Sequence, residues 1–191
     1  MIITLAGAPA SGKGTVGDIL AKRLGFKKYS TGQMRRDEAQ RRGMTLEQFN
    51  EWSLQNEIGD KYFDDLQKNM GEHDDNFIID GRLAWYFIPH SIKVYLDVDI
   101  DEATRRRFAE INRPGRAEAQ LSTIDDVKKT LVDRTAHDLT RYGKIYGITK
   151  YDINDFDIAI DTTNLKPEEV ADVILSAIQK MGVKLPSAIK N

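Results

Sequence analysis

The sequence predicts an α/β fold in which a five-stranded parallel sheet lies between two layers of helices. Two observations predict it. Short apolar runs with the character of strands alternate along the chain with longer segments of helical period. The first strand leads at once into a glycine-rich loop and a helix, an order typical of parallel α/β proteins. Strands that alternate with helices pair in parallel, and the connecting helices cover both faces of the sheet.

The composition is that of one globular domain. The chain has 191 residues, of which 40% are hydrophobic and 30% charged, so we expect residues 1–191 to form a single domain. The net charge of −2 creates no field that would recruit nucleic acid. Because the chain has no cysteine, a disulfide framework, a thiol nucleophile and a cysteine-based metal site are all excluded.

The sequence also predicts an enzyme of the cytoplasm with no membrane partner. No apolar run approaches the roughly 20 residues that a membrane-spanning helix needs. The first strand begins at Met1, so we expect no signal peptide before it.

The chain begins with an apolar strand over 1–6 and a helix over 16–24, whose apolar residues recur at helical spacing. A short strand over 26–30 follows. The next helix is predicted over 31–42, because its pattern stops at Gly43.

Two further helices complete this part of the chain. Thr45 and Gln48 form a capping-box pattern, which starts a helix that continues to about residue 55. The segment 59–70 is predicted to be helical because its apolar residues share one face: Tyr62, Phe63, Leu66 and Met70.

The C-terminal half supplies the remaining strands and helices. Strands are predicted over 76–80, 92–97 and 156–161, and each of them ends in an aspartate. Helices are predicted over 101–110, 124–142 and 167–181, the last of which opens with proline and two glutamates, a favourable first turn. Residues 112–123 have no periodicity and are a candidate lid.

The segment Gly7–Thr15, between the first strand and the first helix, has the pattern of a phosphate-binding P-loop. Glycines allow successive backbone N–H groups to point at a polyphosphate, and the helix that follows adds the positive end of its dipole. Lys13 can then reach the β- and γ-phosphates. The residues expected to bind the nucleoside triphosphate are Gly7, Ala8, Ala10, Ser11, Gly12, Lys13, Gly14 and Thr15.

Ligands of a parallel sheet bind beyond the carboxyl ends of its strands. Gly7, Ser30, Asp80 and Asp97 all lie at such ends. Asp80 stands where a P-loop protein has the acid that orients Mg²⁺-bound water. The alternative for Asp80 is an ordinary acid in the turn that follows a strand.

Phosphoryl transfer requires positive charge around the transferring group, and the chain offers arginines in four places. They are Arg36, Arg82, the triplet Arg105–Arg107, and Arg134 with Arg141, which share a helix face with Asp138. A solvated basic surface is the alternative for Arg36, for the triplet, and for Arg134 with Arg141. We favour that alternative for Arg41, Arg42, Arg105 and Arg106.

Several motifs resemble those of nucleoside monophosphate kinases. They include the Gly-Lys-Gly-Thr end of the P-loop and the segment Thr31–Arg36. The closest resemblance is to the short, archaeal-type cytidylate kinases, and it runs over nearly the whole chain. Besides the P-loop it includes Arg42–Phe49, Asp80–Ala84 and Arg141–Ile148, and the last two segments are more specific to that group than the P-loop is. Gly14 departs from the general P-loop pattern, since many nucleotide hydrolases have Ser or Thr there, and Ala10 departs from the family, which often has Gly at that position.

This resemblance implies transfer of the γ-phosphoryl group of ATP to CMP or dCMP with Mg²⁺. It implies that Thr31, Arg36 and Arg82 bind the acceptor, and that Arg107 packs near the donor. Catalysis is implied for Lys13, Arg134, Asp138 and Arg141. Mg²⁺ would be held mostly by phosphates and water, with Thr15 and Asp80 beside it.

The resemblance also implies an insert over about 31–70 that binds the acceptor nucleotide and a lid over about 110–124. Monomers are the default in this family, and the expected partners are small-molecule nucleotides. The sequence does not decide which residues recognise the base. The candidates are Gln55, Asn56, Asp60, Lys61, Asp64 and Asp65, and a solvated helix face is the alternative for each.

Two other functions stay open at this point. Adenylate kinase, or another small-acceptor kinase, fits the P-loop and Thr31–Met34, although the Asp80–Arg82 segment lacks the Phe-Pro insertion typical of adenylate kinases. A non-catalytic nucleotide-binding module would keep the P-loop, but it would have no use for arginines that converge on an acceptor site.

Overall fold

The computed structural model describes residues 1–55, 58–111 and 123–186. Its five strands form one sheet in the order β2-β3-β1-β4-β5, and every pair is parallel. The predicted α/β fold with a five-stranded parallel sheet is therefore confirmed. The strands are β1 (Ile2–Gly7), β2 (Lys27–Ser30), β3 (Phe77–Asp80), β4 (Ile92–Asp97) and β5 (Ile158–Asp161).

Helices connect the strands and cover both faces of the sheet. They are α1 (Lys13–Leu24), α2 (Thr31–Arg41), α3 (Leu46–Gln55), α4 (Ile58–His73), α5 (Ala84–Phe87), α6 (Ile100–Ile111), α7 (Ile124–Tyr146) and α8 (Pro167–Lys180). None of these helices combines the length and the apolar character that a bilayer crossing would demand.

The core has two main parts, one on each face of the sheet. On one face, α1 and α8 pack on the central strands through buried side chains such as Leu20 and Ile174. On the other face, Ile79 of β3 packs with Met70 of α4 and Ile88 after α5. Alternate residues of β3 enter opposite faces, which is why a run such as Phe77–Ile79 is apolar throughout.

The predicted boundaries agree with the structure to within a few residues. The structure also contains a short helix that was not predicted, and it extends one helix by a turn. The short helix α5 was not predicted, because four residues are too few to show a helical period. The helix predicted to end at Tyr142 continues to Tyr146, where Gly147 adopts the left-handed conformation and ends it.

Helices α2, α3 and α4 enclose a small core of their own within the expected insert. Phe49 and Phe63 are buried there and meet edge to face, with ring centroids 6.1 Å apart. The guanidinium of Arg35 lies over both rings, at 5.5 and 5.1 Å from their centroids. Most of the expected lid lies outside the described residues.

Gly7, the last residue of β1, lies unusually close to β4. A Cβ atom built on Gly7 would lie 1.9 Å from the backbone oxygen of Leu96. Gly7 also has a φ of 130°, a conformation that residues with a side chain rarely adopt. The P-loop therefore leaves the sheet at a point where only glycine fits.

We expect Gly7→Ala to lower the free energy of unfolding by about 3 kcal/mol or more, because it adds backbone strain to a steric clash. Urea denaturation measures this change. The matched control is Gly43→Ala, where φ is 68° but the space is open. That control should cost only about 1 kcal/mol, and equal losses in the two variants would contradict the close packing of Gly7 on β4.

Candidate active site

The P-loop wraps around the start of α1 at the carboxyl edge of the sheet. The Ala8 N–H donates to the oxygen of Leu96 at 3.1 Å, which anchors the loop on β4. Gly12 caps α1 with a φ of 89°, and Ala10 has a φ of 61°. A left-handed Ala10 costs roughly 1–2 kcal/mol, a strain that glycine would avoid. Gly14 and Thr15 lie exposed on the first turn of α1.

Lys13 folds back over the P-loop and caps its carbonyl groups. Its Nζ donates to the oxygens of Gly7 at 3.0 Å and Ala8 at 2.5 Å, and to Ser11 Oγ at 3.3 Å. The pKa of Lys13 is lowered to about 7, chiefly by burial of the ammonium and also by the charges of Arg82 and Arg134, against the opposing effect of Asp80. The ammonium thus lacks an anion of sufficient charge beside it.

The free protein should therefore take up protons when it binds ATP at about pH 8. Lys13 is largely neutral there, whereas phosphates beside the ammonium raise its pKa, so binding protonates it. By the same linkage, ATP affinity should fall as the pH rises above about 7. Titration calorimetry in two buffers of different ionisation enthalpy measures the uptake.

Lys13→Arg is the control for this measurement, because a guanidinium keeps its charge throughout this range. The variant should lose the proton uptake. Identical binding heats for the unchanged protein in both buffers would contradict a lowered Lys13 pKa.

Asp80 lies at the end of β3, beside the P-loop. Its Oδ1 accepts from the Ser30 hydroxyl at 2.7 Å, and its Oδ2 lies 3.9 Å from Lys28 Nζ. Lys28 also donates to the Gly14 oxygen at 2.6 Å, so it ties Asp80 to the first turn of α1. Thr31 Oγ1 donates to the backbone oxygen of Asp80 at 3.3 Å.

These contacts bear on the expected Mg²⁺ site. The described residues contain no cluster of three or more acidic or histidine side chains that could enclose a metal. A single fixed carboxylate next to the P-loop, with an exposed Thr15 nearby, fits an ion that is held mainly by phosphates and water. The donor set suits Mg²⁺ only in that indirect arrangement.

Arg82 follows β3 by two residues and pairs with a carboxylate on α7. Asp138 forms an ion pair with Arg82 and lies 3.6 Å from Arg141 Nη2. Burial lowers the pKa of the Arg82 guanidinium. Behind it, the Trp85 indole N–H donates to the Arg82 oxygen at 3.1 Å, so the aromatic core fixes the backbone of this arginine.

Arg134 brings further positive charge to the same place. Desolvation by surrounding atoms and the charges of Arg82, Arg107 and Arg36 together lower the pKa of Arg134 to about 10. The residue is nevertheless exposed at the surface. Arg36 is held by Gln33, because its Nε and Nη2 donate to Gln33 Oε1 at 3.1 and 2.8 Å.

The fourth member of this group is Arg107, whose Nη1 lies 2.9 Å from Glu110 Oε2. Each of the four arginines comes from a different part of the chain: α2, the turn after β3, α6 and α7. Arg82 and Arg134 lie close enough to Lys13 to lower its pKa, and Arg36 and Arg107 lie close enough to Arg134 to lower the pKa of that arginine. Like charges in such proximity need an anion between them.

A cavity of about 190 Å³ opens between the P-loop and α7. Several predicted residues line it: Gly7, Ala8, Arg82 and Asp138. Asp97, at a strand end where ligands were expected, also lines it. The others were not predicted as site residues: Pro9, Tyr95, Thr135, Leu139 and Tyr151. The two tyrosines gave no motif in the sequence, because an aromatic residue on a strand or in a loop is usually part of a core.

Arg106 corrects one prediction. We expected a surface residue, but its Nη2 donates to the oxygens of Thr162 and Thr163 at 2.7 and 3.1 Å. The Thr162 hydroxyl donates to the Asp97 backbone oxygen at 2.8 Å and also lies 3.2 Å from the Ser11 backbone oxygen in the P-loop. Arg106 thus holds the loop after β5 against the P-loop. Its neighbour Arg105 is exposed, as predicted.

Arg106→Met should lower the free energy of unfolding by about 2 kcal/mol, because two loop carbonyls lose a charged donor. Arg105→Met is the matched control, and it should leave the free energy of unfolding almost unchanged because the ion pair of Arg105 is exposed. Chemical denaturation of the two variants decides the matter. Equal stabilities would show that the contacts of Arg106 contribute nothing.

Comparison with known proteins shows which family this chain belongs to. A family model described as an AAA domain matches residues 3–123. The cytidylate kinase of Thermoplasma volcanium is 37% identical over 96% of this chain and 94% of its own length. That of Archaeoglobus fulgidus is 30% identical over 97% of this chain and 98% of its own. The chain belongs to the cytidylate kinase family. The resemblance predicted from the sequence is therefore confirmed.

Solved structures extend the likeness of fold. The shikimate kinase of Acinetobacter baumannii, in complex with shikimate, superposes with a TM-score of 0.61 at 20% identity, covering 96% of this chain and 95% of its own. The shikimate kinase of Aquifex aeolicus gives a TM-score of 0.55 at 19% identity, over 95% and 98% of the two chains. At these identities the likeness concerns the fold alone.

Proposed function

We propose that this protein transfers the γ-phosphoryl group of ATP to CMP or dCMP, giving ADP and CDP or dCDP. The observation that carries the proposal is the positive charge near the P-loop: Arg82 and Arg134 act on Lys13, and Arg36 and Arg107 act on Arg134. A nucleotide-binding module needs only the loop and its lysine. Arginines on the far side of the γ-phosphate position serve a second anion, and the cytidylate kinases among the relatives indicate which one.

Each charged residue of the proposed site has a role in this reaction. Lys13 leaves the P-loop carbonyls and follows the γ-phosphoryl group, while the P-loop amides hold the remaining phosphates. Thr31, Arg36 and Arg82 bind the acceptor, whose phosphate suits a guanidinium fork. Arg107 lies on the donor side.

The residues of α7 act on the transferring group. Arg134 and Arg141 neutralise the charge that develops during transfer, and Asp138 orients Arg82 and Arg141 through its carboxylate. No side chain has to act as a general base, because the attacking phosphate oxygen of the acceptor is already an anion. Mg²⁺, held by phosphates and by water that Asp80 and Thr15 orient, would supply further neutralisation of phosphate charge.

We also propose that the protein acts in the cytoplasm, as a monomer, on free nucleotides. The described residues include no membrane-spanning helix, and the net charge of −2 gives no general attraction to nucleic acid.

An ADP-release assay with ATP and Mg²⁺ tests the acceptor. The acceptors are CMP, dCMP, UMP, AMP and GMP at equal concentration. We expect turnover to be highest with CMP or dCMP. Highest turnover with AMP would replace the proposal with an adenylate kinase activity, and no turnover with any acceptor would overturn it.

Lys13→Ala and Arg134→Ala should each lower kcat by a hundredfold or more, roughly the loss of one charged group that stabilises the transition state. Their circular dichroism spectra should be unchanged. Arg105→Ala, an exposed arginine of the neighbouring helix, is the matched control and should keep its activity. Near-normal kcat for either active-site variant would contradict the role assigned to it.

A further inference from the structure

Lys28 belongs to a compact group of charges beside the P-loop, and the reaction steps described above do not use it. Lys28 lies on β2, and its Nζ donates to the Gly14 oxygen at 2.6 Å and to Asp18 Oδ1 at 2.7 Å. Asp80 Oδ2 lies 3.9 Å from the same nitrogen. One carbonyl and two carboxylates, from α1 and from the end of β3, therefore lie around a single ammonium group.

The sheet brings these groups together. In the register of β2 and β3, Lys28 pairs with Ile78 and Ser30 pairs with Asp80. Paired residues of neighbouring strands face the same side of a sheet, and Ile78 belongs to the core that α1 covers. The Lys28 side chain thus leaves β2 on the α1 side, where it reaches the first turn of that helix.

The packing of α1 makes room for this lysine. Gly17 is buried within α1, and a Cβ atom built on it would lie 3.2 Å from Lys28 Cε and 3.4 Å from Lys28 Cδ. Glycine inside a helix lowers its stability relative to alanine, so this residue weakens α1 but admits the lysine stem. Only 18% of the Lys28 side chain and 14% of the Asp80 side chain are exposed. The contact is therefore part of the packed interior rather than a surface ion pair.

The oxygens around the ammonium are of the kind that hold a metal ion. Carboxylate and carbonyl oxygens are the ligands that Mg²⁺ and Ca²⁺ prefer in proteins. Here the ammonium supplies the cation, and it needs no ion from solution. Gly14 lies between Lys13 and Thr15, so this cation connects Asp80 with the turn that carries the lysine of the P-loop.

We propose that Lys28 is a positioning residue of the phosphoryl-transfer site: its ammonium is a built-in cation that holds Asp80 against the first turn of α1, where the protein alone would otherwise bind a divalent metal. The inference rests on the proposed function and deepens it. The free protein then has little affinity for Mg²⁺, because the ammonium already offsets the charge of both carboxylates. Ser30, which donates to Asp80 Oδ1 at 2.7 Å, keeps the carboxylate in place from the other side.

The first test is metal binding to the nucleotide-free protein, with Mn²⁺ as the probe in titration calorimetry. Lys28→Met keeps an apolar stem beside Gly17 and removes the charge. We expect its Kd for Mn²⁺ to lie at least tenfold below that of the unchanged protein, since a unit positive charge within 4 Å of Asp80 has been removed. Adding Asp80→Asn to Lys28→Met should abolish this gain.

The second test is the Mg²⁺ dependence of turnover. Lys28→Met should lower kcat about tenfold or more when Mg²⁺ only just saturates ATP, because Asp80 loses a charged contact that fixes it. Excess Mg²⁺ should restore kcat, since a metal ion in place of the ammonium ties Asp80 to α1 again. A loss of purely structural origin would not respond to the metal.

Lys27→Met is the matched control, because Lys27 is the exposed neighbour on the same strand. This variant should behave as the unchanged protein in both tests. Circular dichroism checks that each variant is folded, and Lys28→Gln replaces Lys28→Met in both tests if the methionine variant does not fold.

Three results would overturn the inference: an unchanged Kd for Mn²⁺ in Lys28→Met, a gain that survives Asp80→Asn, or a kcat that excess Mg²⁺ leaves low. Failure of the proposed function gives a different result. In that case the unchanged protein turns over no cytidine nucleotide, whereas the Mn²⁺ titration uses no substrate and still decides whether Lys28 takes the place of a metal.

Discussion

Positive charge is crowded around the P-loop, and most features of this molecule either create that crowding or tolerate it. Burial and neighbouring cations lower the pKa of Lys13 to about 7 and that of Arg134 to about 10. Such an arrangement opposes folding unless anions offset it. Asp80 and Asp138 supply part of the compensation, and polyphosphate supplies the remainder when it binds. The site is thus constructed for a ligand with several negative charges.

The parallel sheet explains how these groups meet. All five strands end at the same edge, so the P-loop, Asp80 and the turn that carries Arg82 emerge side by side. The long helix α7 then crosses this edge and adds groups at successive turns. Close packing makes the positions definite: Gly7 fits against the Leu96 oxygen, and Trp85 holds the backbone of Arg82. The energetic cost is localised in the left-handed Ala10 and in the crowded guanidinium groups.

The sequence predicted those features that depend on local patterns. The P-loop and the helical spacing of Arg134 and Asp138 are visible within a few residues, and the alternation of strands and helices determines their common edge. Features that depend on tertiary contact were missed. Arg105 and Arg106 look alike in the sequence, yet only Arg106 faces the loop after β5. Tyr151 lies in an aperiodic segment, and only tertiary packing makes it line the cavity beside the P-loop.

We infer that one continuous cluster of positive charge holds the phosphates of donor and acceptor together. The most direct test of this inference is the affinity of a single molecule in which adenosine and cytidine are joined through a pentaphosphate chain. If both subsites face each other across Lys13 and Arg82, linking them converts the second binding step into an intramolecular one. The account predicts a Kd at least a hundredfold below that of ATP. A Kd equal to that of ATP would contradict it.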